Sequence, residues 1–286
     1  MIGIDIGGTN LLIGIVENGT VLKRHHEEIC AKGDFERVAK QVCTAVKSIA
    51  PANDDPIGVS VAGSVNIEEG IVLRAQNLDW NNAPLQKYIQ DELNCPVIIE
   101  NDVTSAAWGE FIYGAGRNYN SMFAVWIGTG IGGGLILDKK IWRGPLGTGG
   151  EFGMGISNQN PQSEYRTLES MASRSGFKKL QDNSSITTND LIQAFTEPTN
   201  ELCKLLRQGA CRIGTSVANV ITLLSLETVV FGGGITEALG EKYLKLIRSQ
   251  FEQDVFPEHC KKCTFEITVL GPDAGILGAA HLASQT

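Results

Sequence analysis

Apolar and polar positions alternate along the chain in blocks that predict strands and helices in succession. Apolar runs of strand length occupy residues 1–6, 11–16, 56–62, 95–100, 123–127, 135–137, 228–231 and 264–270. Apolar residues at helical spacing fill residues 34–50, 85–93, 103–113, 168–180, 201–224 and 242–251. This alternation predicts an α/β sheet, whose ligands gather at the carboxyl ends of its strands.

Residues 123–138 place glycines where two predicted strands meet. Five of the seven positions 128–134 are glycine, and Thr129 adds a hydroxyl donor. Glycine permits the positive φ values and the close approach that an anion-binding loop needs, so we predict that this loop cradles a phosphate. A tight hairpin is the alternative, but a hairpin turn needs fewer glycines.

Two further glycine turns follow predicted strands. Residues 2–16 repeat the strand–glycine–strand pattern around Gly7, Gly8, Thr9 and Asn10. The strand at 228–231 runs into Gly232, Gly233 and Gly234 before a helix, which suits the adenosine or phosphate part of a nucleotide, although a plain strand–helix turn has the same pattern. Residues 128–133 also match G-x-G-x-x-G, but a dinucleotide loop opens a helix, and these glycines lead into an apolar strand-like run.

Two aspartates stand at positions where a carboxylate has chemical consequences. Asp5 lies inside an apolar strand, where its burial is costly unless a cation or donors meet it, so we expect it to position a metal, its water or a phosphate; a satisfied turn carboxylate is the alternative. Asp102 follows the strand at 95–100 and Asn101. It can act as a general base if a substrate hydroxyl reaches it, or it can cap the helix at 103–113.

The composition excludes several classes of protein. The net charge of −8 and the pI of about 5.1 argue against a nucleic-acid-binding protein, which holds phosphates with clustered Lys and Arg. The sequence contains no apolar run long enough to cross a membrane and begins without the layout of a secretory signal. Seven scattered cysteines suit reduced thiols in a cytoplasm, and the lone C-x-x-C of Cys260 and Cys263 is better explained by chance than by a metal or redox pair.

Together these motifs make the chain similar to sugar kinases of the ROK family (repressor, open reading frame, kinase) over nearly its whole length. The nucleotide side of the resemblance consists of residues 5–10, 127–134, 230–234 and 273–280. The sugar side consists of residues 63–65, 77–80, 100–102, 150–154 and 168–173. Each motif alone is modest evidence for the family, whereas all of them in this order are specific for it.

The resemblance implies the α/β actin-like ATPase (ribonuclease H-like) fold of a two-lobed sugar kinase with an interlobe cleft. It places residues 1–115 in an N-terminal α/β lobe, on which the C-terminal helix 272–286 packs. Residues 116–271 form the larger C-terminal α/β lobe. The resemblance also suggests a homodimer.

The activity that the resemblance implies is transfer of the γ-phosphoryl group of ATP to a hexose hydroxyl, usually the 6-OH as in a glucokinase. Asp102 is the general base, and Asp5 orients Mg²⁺ or its waters. Nucleotide binding is assigned to Asp5, Gly7, Gly8, Thr9, Asn10, Thr129, Gly130, Gly132, Gly232, Gly233 and Gly234. Sugar binding is assigned to Gly63, Asn77, Asn101, Asp102, Glu151 and Glu169. N-acetylmannosamine, N-acetylglucosamine, fructose and β-glucosides are alternative acceptors.

The chain departs from the family at one motif. Many members hold a structural zinc ion with the histidine of an E-x-G-H motif and three cysteines. Here Met154 occupies the histidine position, and residues 155–168 contain neither Cys nor His. We therefore predict no zinc at this site, and the sugar loses a histidine contact.

Two functions of other classes are also open. The family includes sugar-responsive transcription regulators, but those carry an N-terminal DNA-binding domain, and here the first phosphate loop already begins at Asp5 in an acidic chain. We therefore do not expect a regulator. A polymerising actin-like ATPase is the other hypothesis, and the polar candidates for a sugar pocket argue against it.

Overall fold

The computed structural model describes residues 1–51, 54–183 and 185–285. Its strands are β1 Ile2–Ile6, β2 Asn10–Glu17, β3 Thr20–Glu28, β4 Ile57–Val61, β5 Ser64–Asn66, β6 Ile71–Ala75, β7 Trp80–Ala83, β8 Val97–Asn101, β9 Met122–Ile127, β10 Ile131–Leu137, β11 Lys140–Ile141, β12 Thr228–Gly232 and β13 Thr264–Ile267. Its α-helices are α1 Phe35–Ile49, α2 Leu85–Leu93, α3 Asp102–Tyr113, α4 Leu168–Ala172, α5 Arg174–Leu180, α6 Thr188–Thr196, α7 Glu201–Leu224, α8 Gly234–Asp254 and α9 Ala274–Ala283. None of the helices described is long and apolar enough to cross a membrane.

The chain forms two compact units. The first unit comprises Met1–Arg117, Ile141–Gly149 and Pro272–Thr286, and the second comprises Asn118–Lys140 and Gly150–Gly271. This division differs from the boundaries expected from the sequence at Ile141–Gly149, which we expected in the second lobe. The physical reason is an ion pair within the first unit, between Arg143 and Glu100 of β8.

The first unit is built on a five-stranded sheet with the order β3-β2-β1-β4-β8. Strand β1 pairs antiparallel with β2 and parallel with β4, which pairs parallel with β8. A smaller sheet has the order β5-β6-β7. Helix α9 packs closely on α3 of this unit: a Cβ added to Gly278 would lie 1.8 Å from the Ser105 carbonyl oxygen of α3.

The second unit is built on a sheet with the order β11-β10-β9-β12-β13. Strands β9 and β10 form an antiparallel hairpin, and β12 pairs parallel with β9 and with β13. Both large sheets therefore combine an antiparallel hairpin with parallel strands, which agrees with the internal repeat predicted from the two glycine motifs. The apolar core of this unit lies between the sheet and the long helices α7 and α8, with Phe231, Tyr243 and Phe251 fully buried.

The glycine-rich stretch of the second unit differs from its prediction. Strand β10 begins at Ile131, so Gly132 and Gly133 pair with β9 and the turn is confined to 128–130. A Cβ added to Gly133 would lie 2.8 Å from the Gly150 carbonyl oxygen and 2.9 Å from Phe152 Cβ. At least one glycine that we attributed to a phosphate loop is thus required by the close approach of a neighbouring segment.

Candidate functional site

Three polar side chains lie side by side at the carboxyl edge of the first unit's sheet. In the parallel register, Asp5 of β1 is opposite Ser60 of β4, and Ser60 is opposite Glu100 of β8. Asp102 comes directly after the end of β8, as the first residue of α3. The structure therefore brings Asp5 and Asp102 to the edge where the strand–helix alternation predicted a site.

The alternative interpretation of Asp102 as a helix cap is wrong. The cap of α3 is Asn101, whose Oδ1 accepts the backbone N–H of Thr104 at 2.9 Å. The Asn101 amide also donates to Asp102 Oδ1 at 2.9 Å and to the Gly63 carbonyl oxygen at 3.0 Å. Both amide hydrogens of Asn101 are thereby used, and its side chain orients the Asp102 carboxylate.

Burial shapes the electrostatics of the two aspartates. It raises the pKa of Asp102 to about 7, and the nearby Asp5 carboxylate adds to this rise, against hydrogen bonds from backbone N–H groups and Asn101. Burial likewise raises the pKa of Asp5 to about 6, although the Ser60 hydroxyl donates to its Oδ1 at 2.9 Å. A carboxyl that titrates near neutral pH can accept a proton and later release it, as a general base must.

The glycine turn of the first unit lies against a residue that we assigned to the sugar. The Gly7 N–H donates to the Asn10 carbonyl oxygen at 2.9 Å and closes the turn. A Cβ added to Gly8 would lie 2.5 Å from the Asn77 Cβ, so Asn77 and this turn are neighbours. Thr9 and Asn10 are exposed, and Asn10 Oδ1 lies 3.1 Å from Nε2 of His26, a contact that the sequence did not indicate.

The turn 128–130 of the second unit is held by the segment that carries α4 and α5. The backbone N–H groups of Arg174 and Ser175 donate to the carbonyl oxygens of Gly128 and Thr129 at 3.0 and 3.1 Å. Glu169 Oε2 accepts the N–H of Ile131 at 2.8 Å. Glu169, which we assigned to the sugar, thus contacts the end of the turn that we predicted to cradle a phosphate.

The third glycine turn joins β12 to α8 and lies beside the turn 128–130. Gly233 has a φ of +86°, and a Cβ added to it would lie 2.7 Å from the Ile127 carbonyl oxygen, so only glycine fits. A Cβ added to Gly128 would lie 3.7 Å from the Gly234 nitrogen. The two turns therefore form one backbone surface at the start of α8, whose N-cap Gly233 provides no side-chain acceptor.

Arg174 is a cation at this surface that sequence reasoning missed. Its Nη2 would lie 3.5 Å from a Cβ added to Gly234, and it donates to Thr188 Oγ1 at 3.0 Å. Its Nε is buried without a hydrogen-bond partner, and it forms no ion pair with the described residues. The only signal in the sequence was a basic residue directly after the 168–173 motif.

Hydrogen bonds hold the segment that lacks the zinc ligands. Ile156 forms a bridge with Thr167, and the Ser157 N–H donates to the Arg166 carbonyl oxygen at 2.8 Å. Arg212 of α7 also donates to the Ser157 carbonyl oxygen at 3.3 Å. Glu151, before this segment, is exposed. Among residues 1–51, 54–183 and 185–285, no three His, Cys, Asp or Glu side chains group as a metal site.

Comparison with known proteins gives matches over the whole chain. A family model described as the ROK family matches residues 1–286. A glucokinase of Streptomyces coelicolor is 27% identical over 315 residues, covering 99% of this chain and 97% of that protein. An N-acetylmannosamine kinase of Vibrio cholerae is 30% identical over 272 residues, covering 90% and 93%. The crystal structure of a ROK family glucokinase from Streptomyces griseus with glucose and AMPPNP is 28% identical, with a TM-score of 0.84 and coverage of 100% and 99%.

Proposed function

The chain belongs to the ROK family and has its actin-like ATPase fold, and on that premise we propose that it is an ATP-dependent hexose kinase. The proposed reaction transfers the γ-phosphoryl group to the 6-OH of a glucose-like sugar. The observation that carries the proposal is Asp102: a carboxylate with a pKa of about 7, oriented by Asn101 and free of the capping role.

Asp102 acts in this proposal as the general base. A bond forms between the sugar oxygen and the γ-phosphorus while the bond from that phosphorus to the β–γ bridging oxygen breaks, and ADP leaves. The proton of the hydroxyl moves to Asp102. Such transfers depend on positioning and on charge neutralisation more than on covalent chemistry, so the fixed orientation of the carboxylate supports the assignment.

Asp5 suits a magnesium ion that is held mainly by phosphates and water. Mg²⁺ often takes only one or two protein carboxylates, and Asp5 is a partly buried carboxylate whose Oδ1 accepts a hydrogen bond from Ser60. When bound, Mg²⁺ would neutralise negative charge on the donor phosphates. Asp5 would orient it or its waters.

The nucleotide contacts of the proposal follow the glycine turns. In the second unit, Thr129 and Gly130 take phosphate oxygens, and the turn at Gly232–Gly234 takes the adenosine side. Arg174 adds a positive charge at the start of α8, where backbone N–H groups already favour an anion. The remaining assignments, Asp5, Gly7, Gly8, Thr9, Asn10 and Gly132, stay as the resemblance gives them.

The sugar contacts of the proposal are Gly63, Asn77, Asn101, Asp102, Glu151 and Glu169. Asn101 has one acceptor lone pair left after its three hydrogen bonds, which limits its contact with the sugar to accepting one hydroxyl. The name of the Vibrio cholerae relative keeps N-acetylmannosamine among the alternative acceptors, beside N-acetylglucosamine, fructose and β-glucosides. A homodimer is part of the proposal by resemblance alone, and sedimentation velocity tests it.

A coupled assay over a panel of these sugars tests the proposal. We expect ATP-dependent ADP release with at least one hexose, and ³¹P NMR of the product should show a 6-phosphate. Asp102→Asn should lower kcat by at least about 100-fold, whereas the exposed Lys87→Met should change nothing. If no sugar is phosphorylated, or if Asp102→Asn stays within about tenfold of wild type, the assignment is wrong. Sugar binding without turnover would instead favour a sugar-responsive regulator.

A further inference from the structure

A buried ion pair adjoins the proposed base. Glu100 is 4% exposed and lies two residues before Asp102. Its Oε2 accepts Nε–H of Arg143 at 2.8 Å and a second hydrogen bond from Arg143 Nη2. Its Oε1 accepts the backbone N–H of Asn101 at 2.9 Å. The Glu100 carboxylate therefore links Arg143 to the point where β8 becomes α3.

The position of Arg143 is set by a closed backbone turn. The Gly149 N–H donates to the Arg143 carbonyl oxygen at 2.8 Å, and a Cβ added to Gly149 would lie 2.9 Å from that oxygen. Gly144 and Gly147 have φ values of +67° and +71° within the turn. Glycines thus fold this segment back on Arg143. The side chain of Arg143 is 28% exposed, whereas the side chain of Glu100, taken alone, is 5% exposed.

Loss of Arg143 would leave the Glu100 charge buried and unpaired. Among the residues that the structure describes, Arg143 is the one cationic side chain in an ion pair with Glu100. A buried carboxylate without its cation is unfavourable, so the Glu100 side chain should turn toward water, which weakens its hold on the Asn101 N–H. Asn101 in turn donates to Asp102 Oδ1, so the disturbance reaches the base through one residue.

We propose that Arg143 is a positioning residue for the phosphoryl-transfer step, acting through Glu100 and Asn101 on the orientation of Asp102. The inference rests on the proposed function, because it takes Asp102 as the base. It also makes a structural claim of its own: the hydrogen bond from the Asn101 N–H to Glu100 depends on Arg143. Lysine would supply the charge without the fork of N–H donors, so charge and geometry can be separated.

The experiment compares Arg143→Ala, Arg143→Lys and Glu100→Gln with Lys87→Ala, which breaks an exposed ion pair of the same unit. We expect Arg143→Ala to lower kcat by about 10- to 100-fold with the KM for ATP within about twofold, since a displaced base slows the chemical step. Arg143→Lys should recover only part of this loss. Methylguanidine should raise the kcat of Arg143→Ala but not that of Lys87→Ala.

Hydrogen exchange of the peptide that spans residues 98–106 gives a readout besides activity. Arg143→Ala should speed the exchange of the Asn101 amide by about tenfold or more, and Lys87→Ala should not. A kcat within about twofold of wild type together with unchanged exchange would overturn the proposal. If Arg143→Ala does not fold, Arg143→Lys and Glu100→Gln decide by the same two measurements. A wild type that phosphorylates no sugar removes the proposed function, and the exchange result still decides whether Arg143 holds this junction.

Discussion

Replacing Asp102 with asparagine should remove activity and, at alkaline pH, make the protein more stable. The folded-state pKa of about 7 lies above the ordinary value of 3.8, so folding disfavours the ionised carboxyl. The folded state then holds the proton over the pH range in which the unfolded state has lost it. The contribution of Asp102 to stability therefore falls as pH rises from about 4 to 7. Above pH 7 it is lowest, and the buried carboxylate then lowers the free energy of unfolding by about 4 kcal/mol.

Asparagine carries no charge and can still accept the hydrogen bond from Asn101. The variant should thus exceed wild type in free energy of unfolding by up to about 4 kcal/mol at pH 8, and by only about 1.5 kcal/mol at pH 5. Urea denaturation at the two pH values measures this difference. The matched control is the exposed Asp54→Asn, which should change neither value.

A variant that is equally stable to wild type at both pH values would refute the reasoning. It would mean that Asp102 is ionised in the folded protein without penalty, and burial would then not be what prepares this carboxyl as a base. A stability gain that is the same at pH 5 and pH 8 would also count against it, because a gain from packing does not depend on the charge of the carboxyl.

Four shorter predictions follow from the site. The kcat/KM for the sugar should rise with pH through about 7, because Asp102 must lose its proton before it can act; a rate that is flat from pH 5 to 9 would contradict this. Arg174→Met should raise the KM for ATP about tenfold at unchanged kcat, whereas the exposed Lys179→Met should have no effect in the same assay. Gly133→Ala should cost about 1–3 kcal/mol of stability in a denaturant titration, since its Cβ meets a backbone oxygen and Phe152. Metal analysis of purified protein should find no stoichiometric zinc, and one zinc ion per chain would overturn that prediction.

The sequence predicted those features of the site that depend on the order of strands, helices and glycine turns along the chain. Strands that alternate with helices placed Asp5 and Asp102 at strand ends, and the glycines after three strands marked the turns. The partners of these residues depend on segments that are distant in sequence, so no local pattern predicts them. Arg143 reaches Glu100 across 43 positions, and Glu169 reaches Ile131 across 38. The capping alternative for Asp102 failed for a local reason: α3 begins at Asp102, one residue before the helix predicted at 103–113, so Asn101 takes the N-cap position.

The segment between Glu151 and Glu169 shows what a motif's absence leaves undetermined. The sequence indicated that zinc ligands are missing but not what replaces them. In the structure, these interactions hold the segment: a backbone bridge between Ile156 and Thr167, a hydrogen bond from the Leu168 N–H to the Gly155 carbonyl oxygen at 2.9 Å, and the hydrogen bond from Arg212 to the Ser157 carbonyl oxygen. A structural zinc ion contributes about 10 kcal/mol or more, whereas each such hydrogen bond contributes about 1 kcal/mol. The hydrogen bonds that hold this segment are therefore weaker than a zinc site would be. If Glu151 and Glu169 at its ends bind the sugar as proposed, we expect them to adjust to it at lower cost.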